Sequence, residues 1–181
     1  NKLYVDGKKT RVMTAEEWAY LMPNNLFDGY LPDNNRVWVE GRKKYAKWAR
    51  CFIDENGDKK RGTNPAELRG ILIFPDNMTL VDAKAVFTKD PTFGRHSNGN
   101  SNPTTYDKIK KSGAVFIPLS AYRAHNSRKL VQWGNHGNYS TSSNSGRNMV
   151  HIKLTDVAIS TSFYESSDPD QGCMSRLVQD Y

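Results

Sequence analysis

The chain has 181 residues, a formal net charge of +7, an apolar fraction of 37% and 13 glycines. That length suits one well-buried domain rather than two, and no apolar run approaches the roughly 20 residues of a membrane-spanning helix. Two cysteines, Cys51 and Cys173, are too few for a disulfide scaffold and lack metal-ligand spacing; a pair and separate thiols both stay open. Much Gly, Asn and Ser beside little apolar content points to a loop-rich α+β domain.

In chain order, Lys2 to Val5 and Arg11 to Met13 flank Asp6-Gly7, a hairpin turn signal. Thr14-Ala15-Glu16-Glu17 then reads as a capping box, with Thr14 accepting from the Glu17 amide and the Glu17 carboxylate reaching back. Ala15, Trp18, Leu21 and Met22 recur at helical spacing, so a helix with a buried Trp18 is expected to stop at Pro23. Residues 24–35 are rich in breakers. Val37 and Val39 alternate with Trp38, and residues 45–53 and 68–74 follow as strands around a polar insertion. Asp54, Asn56 and Asp58 resemble the start of a calcium loop. The position that needs Gly is Lys59, however, and the twelfth is Pro65, so a turn through Asn56-Gly57 is expected instead.

Residues 81–101 end in a Gly, Asn and Ser run that is expected to be mobile. Asn102 is placed as the cap of a second helix, with Pro103 at its first position, Tyr106 and Ile109 buried, and Gly113 past its end. Lys108, Lys110 and Lys111 suit the dipole at its C-terminus. Ala114 to Ile117 and Leu119 make a short apolar run, the expected middle of the core. Residues 134–148 read as a polar, glycine-rich loop set with Trp133, His136 and Tyr139. Val150, Ile152 and Leu154 then alternate inward against His151 and Lys153, with residues 157–163 as hairpin partner and residues 172–178 as closing strand.

Several stretches carry a resemblance. GAVFIPLSAYR (113–123), GNYSTSS (137–143) and GCMSRLVQD (172–180), preceded by RVMTAEEWAYL (11–21) and GILIFPDN (70–77), are similar, in order, to motifs of the Fibrobacter succinogenes major paralogous domain family. The resemblance implies a C-type-lectin-like fold with two helices around short antiparallel sheets and paired termini. That fold is also used by formylglycine-generating enzymes and by the variable proteins of diversity-generating retroelements. It implies a ligand-facing loop surface and a secreted, cell-surface or phage-displayed setting in a Bacteroidales context, with any leader removed before Asn1.

The expected site is a polar-aromatic face: Trp133, Asn135, His136, Asn138, Tyr139, Ser140, Asn144, Phe163, Tyr164, Asp168 and Gln171. Aromatic residues give contact area at low entropic cost, and small polar residues give adaptable hydrogen bonds. The partner expected is a protein or glycan on a cell surface, with no metal and no cofactor. Two alternatives stand beside this reading. One is nucleic-acid binding by residues 42–61, where lysines and arginines interleave with Tyr45, Trp48 and Phe52. The other is a degenerate formylglycine-generating enzyme, which lacks the nearby cysteine pair that such chemistry uses.

Overall fold

A computed structural model describes residues 3–5, 7–23, 36–60, 67–123, 130–131, 136–145, 148–155, 163–166, 174–175 and 177–179. The chain opens as a hairpin of β1 (Leu3–Val5) and β2 (Lys8–Val12). Val5 pairs with Lys8, so the turn is two residues long, and Gly7 takes the positive φ of +73° that it requires. The expected capping box follows: the Thr14 hydroxyl accepts from the Glu17 amide, and Glu17 Oε2 accepts from the Thr14 amide at 2.8 Å. It starts α1 (Ala15–Leu21), whose Ala15 and Trp18 are buried.

The centre of the molecule is β5 and β6. β3 (Val37–Glu40) and β4 (Lys43–Ala46) form a ribbon that leads into β5 (Trp48–Ile53), and β6 (Arg69–Ile73) lies antiparallel beside it. Both strands are buried along their whole length because the sheet is covered on both faces. Between them the Asp54 carboxylate accepts from the amides of Gly57 and Lys59 and closes the turn at Asn56-Gly57.

After β6 comes a helix that the sequence pattern did not suggest, α2 (Leu80–Ala85), capped by the Thr79 hydroxyl. A single 3₁₀ turn at Gly94–His96 follows. The polar run after it, expected to be mobile, is anchored at both ends: Ser97 and Asn102 are each 1% exposed and both hydrogen-bond to Arg50, while Asn98 and Asn100 between them are exposed. The cap of the next helix is Thr105, and Pro103 belongs to β7 (Pro103–Thr104), parallel to β5. α3 (Tyr106–Ser112) ends on Gly113 at φ +72°, as its Gly requires. Ile109 is buried as expected, but Tyr106 is 46% exposed. β8 (Val115–Pro118) is therefore not the middle of the core. It is the edge of the sheet ordered β7-β5-β6-β8, with Val115 exposed and Ile117 turned inward.

β9 (Tyr122–Arg123) and β10 (Leu130–Val131) form a short ladder. Residues read as a loop then form a strand of ten, β11 (His136–Ser145). It pairs with β12 (Asn148–Thr155), which pairs with β13 (Phe163–Ser166), while β14 (Met174–Ser175) runs parallel on its other side. β15 (Leu177–Gln179) returns to β2, so the two ends of the chain share one sheet as expected.

Two apolar clusters flank the central sheet. Trp18, Met22, Trp48, Ile71, Ile117, Tyr139, Ile152 and Leu154 join α1 and the β11–β12 sheet to one face. Trp38, Cys51, Leu72, Phe74, Phe87, Phe93 and Ile109 join α2 and α3 to the other. The result is an α+β fold with, among the described residues, three α-helices and small antiparallel and mixed sheets.

Candidate ligand-facing sheet surface

Residues directly opposite in a β-ladder lie on the same side of the sheet, and successive residues alternate. In the sheet ordered β13-β12-β11-β14, Tyr139 pairs with Ile152 and with Met174, and Ile152 with Phe163. Tyr139 is 4% exposed and Ile152 fully buried, so this row is the core side. The next row is the opposite side: Ser175 pairs with Ser140, Ser140 with His151, and His151 with Tyr164. Ser140 is half-buried and Ser175 exposed. The flanking pairs Asn138–Lys153 and His136–Thr155 keep the same parity.

This parity divides the expected site residues. His136, Asn138, Ser140 and Tyr164 take positions on the outer side, and so does Asn144, which pairs with Met149 beyond a bulge. Tyr139 takes a position on the core side, which corrects its assignment as a ligand contact, and Phe163 pairs with Ile152 in the same row. The physical reason is explicit for Tyr139: its ring lies 5.5 Å from that of Trp18, and its hydroxyl donates to the Pro118 carbonyl at 2.7 Å. Gly137, beside it, lets the chain pass Pro118, whose carbonyl a Cβ would approach to 3.2 Å. Trp133, Asn135, Asp168 and Gln171 lie outside the described residues. His151 and Ser175 were not among the expected site residues. The outward alternation of His151 against Ile152 was the signal for the first, whereas nothing local marks Ser175.

The bulge has a partner in the first helix. Between Ser140 and Asn144 the strand leaves its register with β12. There the Ser142 amide donates to the Met13 carbonyl and Ser143 Oγ accepts from the Ala15 amide, both at 2.9 Å. One of the unpaired amides of α1's first turn is thus satisfied by a residue 128 positions away. Asn138, 4% exposed, is different: its Oδ1 is buried and accepts no hydrogen bond among the described residues. It is an unspent acceptor beside Ser140.

The basic stretch does not form a stacking platform. Trp48 and Phe52 are fully buried, and Lys47 and Arg50 are 6% and 4% exposed. Arg50 donates to the Ser97 carbonyl, and Lys47 donates to the Asp76 carbonyl and lies 5.7 Å from the Trp38 ring. Desolvation holds the Lys47 ammonium below its usual pKa range, with Asp76 opposing and Arg36 assisting. What remains exposed is Arg42, Lys43, Lys44, Lys59 and Lys60, while Tyr45 is half-buried. Cys51 is a free thiol sealed in the core, where burial drives its pKa far up; such a thiol is neither a nucleophile nor a metal ligand. Cys173 lies outside the described residues.

No protein-family model matches the chain, and no curated protein or solved structure is significantly similar to it.

Proposed function

We propose that the protein is a non-catalytic ligand-binding module of C-type-lectin-like fold, of the Fibrobacter succinogenes major paralogous domain type, presenting the outer side of the β11–β14 sheet to a protein or glycan on a cell surface. The observation that carries this reading is the row Ser175, Ser140, His151 and Tyr164, in register across four strands and opposite a packed core. A row of hydroxyls with an imidazole and a phenol has the composition of adaptable recognition surfaces. Further support comes from the closure of β15 on β2 and from the capped α1 braced by the bulge of β11, which together hold this sheet against the body of the fold.

A secreted, cell-surface or phage-displayed setting, and diversification by a retroelement, belong to the same proposal. Its test is a screen of the purified protein on glycan and bacterial-surface protein arrays at physiological salt, beside Ser140→Arg. A specific hit absent from the variant supports the reading. Failure to find any hit, or a hit that Ser140→Arg retains, overturns it.

A further inference from the structure

On the far side of the central sheet from the Tyr139 cluster, α2 and α3 bound a cleft of about 540 Å³, within the range of small-molecule sites. Pro75, Met78 and Val86 give it apolar walls. Most of its polar groups are already engaged within the protein. Lys108 Nζ donates to the carbonyls of Ala85 and Phe87 at 3.1 and 2.9 Å, which ties α3 to the end of α2. The Ser112 hydroxyl donates to Ile109 and accepts from the Ala114 amide, and the Asp82 carboxylate accepts from the Thr79 hydroxyl at 2.6 Å.

Two lining groups are not engaged in this way. The Lys111 ammonium and the Asn77 amide make no hydrogen bond or ion pair among the described residues. Lining charge therefore consists of two lysines against one aspartate, with the uncommitted cation on α3 and the carboxylate on α2. An apolar floor with one free ammonium and one free amide complements a flat apolar body that carries a single negative charge. The Asp82 carboxylate disfavours a second anionic group on the same ligand.

We propose that this cleft binds a small organic monoanion, an aromatic or similar carboxylate, whose apolar body lies on Pro75, Met78 and Val86 and whose head group meets Lys111. The site is separate from the sheet surface and does not depend on its assignment.

The test titrates the whole protein with 2-naphthoate, using 2-naphthylmethanol and 2-naphthylmethylammonium as neutral and cationic counterparts. A ligand of this size on a shallow site should bind with a dissociation constant of about 1 mM or less. Lys111→Ala, at an exposed position, should weaken 2-naphthoate roughly fivefold, about the value of one partly exposed charge contact. Ala85→Trp, also at an exposed position, should fill the cleft and abolish binding, with an unfolding midpoint near the parent's showing that the variant is folded. Absence of 2-naphthoate binding to the parent would overturn the proposal. So would undiminished binding to a folded Ala85→Trp or to Lys111→Ala, and so would equal binding of the alcohol or the ammonium compound. Should Ala85→Trp not fold, Lys111→Ala and the two counterparts decide alone.

Discussion

The phenol ring of Tyr139 lies 5.5 Å from the indole of Trp18, tilted by 47°, and this contact joins β11 to α1. Its neighbour Ser140 lies on the other side of the same strand. One residue of register thus separates a core residue from a surface one, and the functional reading depends on that parity.

Tyr139 is accordingly a stability residue. Tyr139→Phe removes the hydrogen bond to Pro118 and should cost about 1 kcal/mol. Tyr139→Ala empties a site lined by Trp18 and Ile152 and should cost about 3 kcal/mol or more. Urea unfolding of both variants checks this; a Tyr139→Ala protein as stable as the parent would remove Tyr139 from the core.

Gly70 is the tightest point of the central sheet. A Cβ there would come within 2.3 Å of Phe116 Cε2 and 2.5 Å of the Ile117 carbonyl oxygen. The carbonyl belongs to the paired strand β8 and cannot turn aside as a side chain could. Gly70→Ala should lower stability by about 2 kcal/mol or more, whereas Gly41→Ala, with open space around its Cβ, should cost only the strain of its positive φ. A Gly70→Ala melting temperature within a degree or so of the parent's would refute the close packing of β6 on β8.

Acid should weaken the start of α1. The Arg11 guanidinium donates to Glu17 at 2.7 and 2.5 Å and holds its carboxyl down to about 2; the Thr14 amide adds to this and desolvation opposes it. Because the folded-state pKa lies below the unfolded value, the contribution is complete above about pH 4.5 and is lost as pH falls toward 2. The pair is more than a third exposed, so it contributes only about 1 kcal/mol. Glu17→Gln keeps an acceptor for the Thr14 amide and removes the charge. Its stability should fall below the parent's near neutral pH and converge with it near pH 2; a constant gap across that range would exclude the ion pair as the cause.

The parts of the fold that could be read in the sequence are those fixed by local chemistry. Thr14 and Glu17 announce a helix start by spacing alone, Asp6-Gly7 a hairpin, and Ile152 and Leu154 an inward face. The parts that could not are those decided by distant partners. Leu80 to Ala85 is too short for periodicity to separate from its flanks. Pro103 reads as a first helical position until its neighbours in β5 place it in a strand. Arg36, 2% exposed, carries no local sign of burial, and its guanidinium donates to the carbonyls of Leu21, Lys47 and Phe74 and to Asp76.

The same holds for the site. Small polar residues in 136–145 have the composition of a loop, and only pairing with β12 and β14 makes them a strand with two sides. Composition therefore gathered Tyr139 and Ser140 into one surface, while register separates them. Ser175, at the far edge of the row, carries no local mark because its place depends on a parallel pairing with a strand 35 positions earlier.

The central claim is that the outer row of the β11–β14 sheet faces the ligand. It is tested most directly by the affinity of any array hit for Ser140→Arg and Ser175→Arg, compared with Val81→Arg on α2, where the parent side chain is 75% exposed. The expected result is a loss of at least about tenfold for each of the first two, at unchanged melting temperature, with Val81→Arg equal to the parent. Full affinity in both serine variants, or a loss confined to Val81→Arg, would contradict the account and move the binding surface to another part of the molecule.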